Sequence, residues 1–290
     1  MDSSLEGGIF SMQGSYRAEL GDAEFARLST FIYSTAGIKM PPAKRIMLQS
    51  RLQKRLVELG MSDFKTYTDY VLSERGQQEE LVHMLDVVST NKTDFFREPI
   101  HFDFLRDQVL PEFYDGGGRT LKVWSAGCSS GEEPYTIAMV ISEFLKGRGG
   151  GLDYSIIGTD LSTRILSAAV NAVYKEDRVE GVPLEIKRAY MLRSKDRTNP
   201  TVRMVPDIRR KIRFQRLNFM DASYNLNEMF DVVFCRNVLI YFDRATQEAV
   251  IRKQCAKLRK GGYFFLGHSE SIMSMDLPLE SIRPTIFRRI

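Results

Sequence analysis

The residues of this chain that can do chemistry sit at the ends of short apolar runs. The clearest case is residues 121–134, Leu-Lys-Val-Trp-Ser-Ala-Gly-Cys-Ser-Ser-Gly-Glu-Glu-Pro. Leu121 to Ser125 has the make-up of a short buried strand, Gly127 and Gly131 bracket a tight turn, and Pro134 is tolerated in the first turn of a following helix. A strand, a glycine turn and a helix N-terminus bring backbone N–H groups to a nucleotide-like ligand at the carboxyl end of a parallel sheet. The spacing here is not the G-x-G-x-x-G of dinucleotide enzymes, and no Lys-Ser/Thr follows as in a phosphate loop. Glu132 and Glu133 stand where a phosphate would bind, which favours a ligand carrying positive charge. Taken alone, the stretch also reads as an ordinary structural αβ corner.

Other strand ends point at the same crevice. Tyr154 to Asp160 reads as a second parallel strand, and Asp160 occupies the position from which nucleotide-binding α/β folds grip ribose hydroxyls. It can equally cap a helix over Leu161 to Val170, and the two roles are compatible. Asn218 ends a further piece, and the β-branched run 230–240 ends in Arg236 and Asn237, with Tyr241 just beyond. The ligand implied has a ribose for Asp160, an amine for the glutamates and polar edges for the asparagines. S-adenosylmethionine meets that description; a nicotinamide dinucleotide, with its diphosphate, meets it poorly. Residues 89–99, Ser-Thr-Asn-Lys-Thr-Asp-Phe-Phe-Arg-Glu-Pro, are too polar for a core element and too aromatic for a plain linker. They suit the rim of a cleft, with Asn91 and Thr93 free to hydrogen-bond and Arg97 offering a rigid fork for a carboxylate. His268 ends a buried strand, Tyr263 to Gly267, and has the chemistry of a base or a ligand. With no second His or Cys placed near it in sequence, a structural or rim role is the simpler expectation.

The elements that must position these residues follow from periodicity. Residues 1–20 have no period and read as a mobile tail. Residues 21–90 read as a small all-α domain. Its expected helices are Asp22 to Gly37; one opened by Pro41-Pro42 and ended by Gly60, with Ile46, Leu48, Leu52, Leu56 and Leu59 for a buried stripe; one started by Ser62 and Asp63; and one from about Gln77 to Val88. Residues 91–118 form the linker and cleft rim, with a helix from His101 to about Tyr114, and residues 119–290 an alternating α/β domain. Its expected helices include Tyr135 to Lys146 and Ala245 to Leu258, the latter capped by Gly261-Gly262, and Gly149 to Gly151 form a loop. An insert at about 174–216 breaks the alternation; Thr201 to Val205 and Lys211 to Leu217 suggest a small antiparallel unit with a turn near Asn199-Pro200.

Charge is unevenly spread over a net +4. Residues 39–55 contain Lys39, Lys44, Arg45, Arg51, Lys54 and Arg55 and no acid. Lys44, Arg51 and Arg55 share one helix face. The plain reading is a solvated face; the functional one is a dock for an acidic helix or nucleic acid, made of Lys44, Arg45, Arg51, Lys54 and Arg55. A second basic stretch runs from Lys187 to Arg216, where Asp196 and Asp207 are the only acids. Cys128, Cys235 and Cys255 are odd in number and widely spaced, which fits reduced cytosolic thiols and argues against a zinc site. No run of eighteen or more apolar residues exists to span a membrane, and the first residues lack the pattern of a signal peptide.

Four motifs in order, Ser-Thr-Asn-Lys-Thr-Asp-Phe-Phe-Arg-Glu, Trp-Ser-Ala-Gly-Cys-Ser-Ser-Gly-Glu-Glu-Pro-Tyr-Thr, Phe-Cys-Arg-Asn-Val-Leu-Ile-Tyr-Phe and Gly-His-Ser-Glu, resemble those of the CheR family, the chemotaxis receptor glutamate methyltransferases. The resemblance implies a Rossmann-like, seven-stranded S-adenosylmethionine-dependent methyltransferase sheet behind an all-α domain, with a small β-subdomain inserted. It implies that Asn91, Thr93, Arg97, Gly127, Glu133, Asp160, Asn218, Phe219, Asn237 and Val238 contact S-adenosylmethionine, or its product S-adenosylhomocysteine, and that Arg97 and Tyr241 lie nearest the transferred methyl. It further implies γ-glutamyl methyl ester formation on the cytoplasmic helical bundles of chemoreceptors, by a cytoplasmic monomer that uses no metal and binds no nucleic acid. The basic helix would meet those bundles. In some members the β-subdomain grips a peptide at the receptor's C-terminus; residues 194–200 here give no ground for that. The rival readings are a nucleic-acid methyltransferase, against which no Asn/Asp-Pro-Pro-Tyr or Pro-Cys motif is found, and a non-catalytic cofactor-binding signalling module.

Overall fold

A computed structural model describes residues 18–148 and 152–290. Residues 1–17 of the expected tail and the Gly149–Gly151 loop lie outside the described residues. Ala18 and Leu20 do not belong to a tail: both are buried in the core of the helical domain.

That domain comprises α1 (Asp22–Ala36), α2 (Arg45–Glu58), α3 (Phe64–Leu72), α4 (Glu74–Glu79) and α5 (Leu81–Val88). All but α4 bury the apolar stripe that their spacing lays down: Phe25, Leu28 and Ile32 from α1, Leu48, Leu52 and Leu56 from α2, Tyr67 and Val71 from α3, Met84, Leu85 and Val88 from α5. Ile46 is not in the stripe and stands 66% exposed. Asp63 caps α3 by accepting the Thr66 N–H at 2.8 Å. The single helix expected over 77–88 is broken at Glu80, whose buried carboxylate accepts from Arg55 and from the Tyr67 hydroxyl. A buried anion needs several donors at once, and those come from α2 and α3, so tertiary contacts set the break.

The segment after the rim is α6 (Ile100–Phe104), a π-turn (Leu105–Val109) and α7 (Leu110–Asp115). Pro111 carries no N–H for the Asp107 carbonyl and its ring crowds that turn, which a wider turn relieves. The α/β domain then runs β1 (Thr120–Ala126), α8 (Glu132–Leu145), β2 (Asp153–Asp160), α9 (Thr163–Asn171), β3 (Val173–Lys175), α10 (Leu184–Tyr190), β4 (Met191–Arg193), β5 (Thr201–Met204), α11 (Pro206–Arg209), β6 (Ile212–Arg216), β7 (Phe230–Cys235), α12 (Arg244–Cys255), β8 (Leu258–Leu266), β9 (Leu279–Arg283) and β10 (Ile286–Arg289).

Seven strands form one sheet in the order β6-β2-β1-β7-β8-β10-β9, and β10 alone runs against the other six. Alternate residues bury opposite faces: Val123, Phe234 and Phe265 enter one core, Trp124, Val233 and Phe264 the other. Phe234 and Phe265 stack with ring centroids 4.3 Å apart. The chain leaves β1 for β2 on one side and places β7 on the other, so a crevice opens beyond the carboxyl end of β1.

The insert is smaller than expected. Its three-stranded sheet is β3-β5-β4, and the 211–217 piece instead becomes β6, paired parallel with β2 at the edge of the main sheet. Alternation of side chains is the same for either fate, so sequence could not assign it. Likewise α12 stops at Cys255, and Gly261-Gly262 lie within β8 where its register on β7 shifts. The strand expected over 230–240 ends at Cys235, and Leu239–Tyr241 is a 3-10 turn.

Candidate active site

The crevice is a cleft of about 1010 Å³, open solvent at its mouth included, between the helical domain and the strand ends. Its floor comes from the turns after β1 and β7. Gly127 has φ +84°, and a Cβ there would lie 2.4 Å from Val238 Cγ2; only glycine fits. Gly131, φ +95°, takes the N-cap position of α8. Asp160 closes one wall. Its carboxylate accepts the N–H of Ser129 at 2.9 Å and of Ser162 at 3.1 Å, and Ser162, not Asp160, caps α9. Burial pushes Asp160 above the usual carboxylate range, against the lowering effect of those N–H donors.

Arg236 organises the opposite wall. Its Nε donates to Glu133 at 2.7 Å, Nη2 donates to the Arg97 carbonyl at 2.8 Å, and Nη1 donates to His101 Nδ1 at 2.8 Å. An arginine can only donate, so Nδ1 of His101 is the acceptor and Nε2–H points to Thr285 Oγ1 at 2.8 Å. Burial, with Arg236 adding to it, depresses His101 to about 3 and keeps it neutral. Burial acts to raise Glu98, but the Arg236 charge and donors from Asn237 and His268 outweigh it and hold that carboxyl below its usual range. Glu270 fixes the turn after β7, accepting the N–H groups of Asn237, Val238, Leu239 and Gly267; burial nonetheless pushes it up.

Asn91, Thr93, Arg97, Gly127, Glu133, Asp160, Asn218, Phe219, Asn237, Val238 and Tyr241 all line this one cleft. Partners delivered by the fold change the charge state or hydrogen bonding of several groups that sequence left free. The glutamate pair does not offer two free charges: Glu133 is neutralised by Arg236, while Glu132 is buried and bound to Arg178 and Ser130. Asp160 is the cleft carboxylate without a cationic partner among the described residues. The Asn218 amide donates to the Thr35 carbonyl at 2.7 Å and so ties the sheet to α1, and the Asn237 amide donates to Glu98 at 3.2 Å. His268 does have a second histidine beside it, His101, at 5.2 Å between rings. With Glu98 they make a cluster of possible metal ligands, but the His101 lone pair is already taken by Arg236.

The basic helix is also changed. Arg55 is held by Glu80 and Glu58, Arg51 by the carbonyls of Val88 and Ser89 and the Thr90 hydroxyl, and Arg45 by Asp22. All three already have partners: Arg55 an acid one turn on and the buried Glu80, Arg51 carbonyls 37 and 38 residues away, and Arg45 the exposed Asp22. Lys54 stays exposed, and Lys44 lines the cleft with its ammonium 5.9 Å from the Tyr241 ring centroid. Ala36, Ile38, Met40 and Met47 roof the cleft from the helical domain, which sequence reasoning missed; only their apolar character between two helices hinted at it. Non-glycine residues with left-handed backbone, Phe96, Glu98, Ser129 and Asn237, gather around the same cleft. Such strain persists where surrounding contacts enforce it, as at binding sites.

A CheR methyltransferase SAM binding domain matches residues 91–287, and a CheR methyltransferase all-alpha domain matches residues 23–89. The chain belongs to the CheR methyltransferase family. A chemotaxis protein methyltransferase of Borreliella burgdorferi is 34% identical over 92% of this chain and 94% of its own length. Those of Escherichia coli and Klebsiella aerogenes are 34% and 36% identical, over 95% and 94% of this chain and 94% and 92% of their own lengths. This CheR methyltransferase is therefore a chemotaxis methyltransferase with a SAM-binding domain, and its cleft fits that cofactor. A buried carboxylate with acceptor capacity beyond its two backbone donors, beside a side-chain-free turn at Gly127, suits a ribose and an adenosyl chain. Among the described residues no helix is long and apolar enough to cross a membrane.

Proposed function

We propose that this CheR methyltransferase esterifies glutamate side chains on the cytoplasmic helical bundles of chemoreceptors, working in the cytoplasm with S-adenosylmethionine as donor. The observation that carries this reading is Arg97. Arg97 lines the cleft, and among the described residues its guanidinium makes one hydrogen bond, to the Lys92 carbonyl at 3.1 Å, leaving donors for a substrate carboxylate. Tyr241 lines the same cleft beside Lys44, at the edge where α2 would meet an acidic bundle. Lys44 and Lys54 are the members of the basic helix freest for docking; Arg51 and Arg55 are engaged within the fold, and Arg45 holds only the exposed Asp22.

The chemistry asks little of the side chains. Bound cofactor supplies an activated methyl on a sulfonium. A glutamate side chain has a reference pKa of about 4.3 and arrives ionised at neutral pH, so no general base is needed. Arg97 and Tyr241 orient and position the carboxylate, which must approach to about 3 Å in line, rather than move a proton. The apolar roof of Ile38, Met40 and Met47 excludes water, which favours a step that neutralises charge.

The test is incubation with tritiated S-adenosylmethionine and receptor-containing membranes. Label in the receptor that is released as methanol by base supports the reading. Base-stable label, or label in nucleic acid alone, overturns it. Tyr241→Phe should lower turnover without shifting the pH profile; a shifted profile would make Tyr241 an acid or base.

A further inference from the structure

Arg178 stands on the inserted subdomain, in the 3-10 turn Glu176–Val179 that follows β3, yet its guanidinium serves the cleft. Nη1 pairs with Asp94 at 3.1 Å, and Nη2 donates to Glu132 at 3.0 Å and to the Thr93 carbonyl. The same strand carries Tyr174, whose hydroxyl donates to the Ser130 carbonyl at 2.8 Å and whose ring meets Phe95 edge-on at 4.9 Å. The inserted sheet therefore grips both the rim (Thr93, Asp94, Phe95) and the glycine turn (Ser130, Glu132).

Among the described residues, few other side-chain hydrogen bonds from outside the rim hold residues 91–96. Ser129 Oγ donates to the Asn91 carbonyl at 3.0 Å, and Phe96 N–H donates to Thr136 Oγ1 at 3.2 Å. Beyond them Arg236 holds the Arg97 carbonyl. Arg178 supplies the tether between the first two, just before the left-handed residues Phe96 and Glu98. A strained segment keeps its shape only while its surroundings over-determine it. Thr93 lines the cleft just before that strain, and Arg97, between the two left-handed residues, lines it as well.

We propose that Arg178 is a positioning residue: it couples the inserted β-sheet to the cleft rim, so that the rim geometry needed to hold the cofactor depends on the sheet. The inference rests on the cleft being the cofactor site. Arg178 also neutralises Glu132, whose side chain is only 2% exposed, so a simple loss of stability has to be separated from positioning.

The experiment uses the full chain, with S-adenosylhomocysteine as calorimetric probe, thermal melting, and amide exchange over residues 91–97. Arg178→Met should weaken binding about tenfold, the effect of losing one charge-assisted hydrogen bond, and speed exchange in that segment. The double variant Arg178→Met with Glu132→Gln removes the stranded charge; it should regain melting temperature but keep weak binding and fast exchange. Arg178→Lys, retaining one donor, should fall between. Wild-type affinity in either Met-containing variant overturns the proposal, and full recovery of affinity in the double variant reduces Arg178 to charge neutralisation. Absence of binding by the unmodified chain would instead overturn the cleft assignment itself.

Discussion

Arg236 Nε lies 2.7 Å from Glu133 Oε2, with both side chains withdrawn from solvent, and this contact joins the end of β7 to the start of α8. It converts a carboxylate at a helix N-terminus into part of a neutral, hydrogen-bonded wall. Ser125 Oγ, donating to Glu133 Oε1 at 2.7 Å, completes it from β1.

Removing one partner of this pair leaves the other charged and buried. Arg236→Met should destabilise the protein by about 3–5 kcal/mol in urea unfolding. Adding Glu133→Gln should restore a large part of that loss. Equal stability of Arg236→Met and the unmodified protein would show that the pair contributes nothing net.

Gly127 is fixed by two independent constraints, its φ of +84° and the Val238 methyl 2.4 Å from where a Cβ would stand. Gly127→Ala should cost about 1–3 kcal/mol of stability and weaken S-adenosylhomocysteine binding by at least about tenfold. Val238→Ala in that background removes the contact but not the backbone cost, so calorimetry should find only partial recovery.

Asp160 gives binding a pH dependence. Burial raises its pKa above its ordinary 3.8, so folding favours the protonated acid. In the free protein the stabilising contribution is therefore present below pH 3.8 and lost as pH rises through the higher folded value. Ligand hydroxyls that hydrogen-bond the carboxylate favour its ionised form. Affinity for S-adenosylhomocysteine should accordingly fall as the solution is acidified through that raised pKa, above pH 3.8. Asp160→Asn should bind at least about tenfold more weakly and lose this dependence; an unchanged profile would remove Asp160 from the site.

Arg55 and Lys54 are neighbours on α2, one paired with the buried Glu80 and the other exposed. Arg55→Ala strands the buried Glu80 and should lower stability by about 3 kcal/mol. Lys54→Glu, at an exposed position, should leave melting within about 0.5 kcal/mol while reducing methylation of receptor membranes. A loss of activity with soluble cofactor analogue binding also impaired would contradict a docking role.

Much of the site was legible because it is built from backbone-determined features. Gly127 and Gly131 announce a turn that other residues cannot make, and Asp160 ends a run whose β-branched residues read as a buried strand. What sequence misread concerns partners. The acid-free stretch 39–55 looked like a free basic face because Asp22, Glu58 and Glu80, which occupy Arg45 and Arg55, lie outside it. His101 and His268 looked solitary because they lie 167 positions apart, yet the ends of α6 and β8 bring their rings to 5.2 Å.

The order of motifs determined the family and, through that resemblance, a list of residues that all line one cleft; periodicity and turn chemistry, being local properties, determined the alternating β/α plan. The tertiary structure decided which charges are free. Arg236 silences Glu133, Arg178 silences Glu132 and Asp160 is left without a cation, because buried charge is compensated through space by whichever strand end or loop the fold delivers.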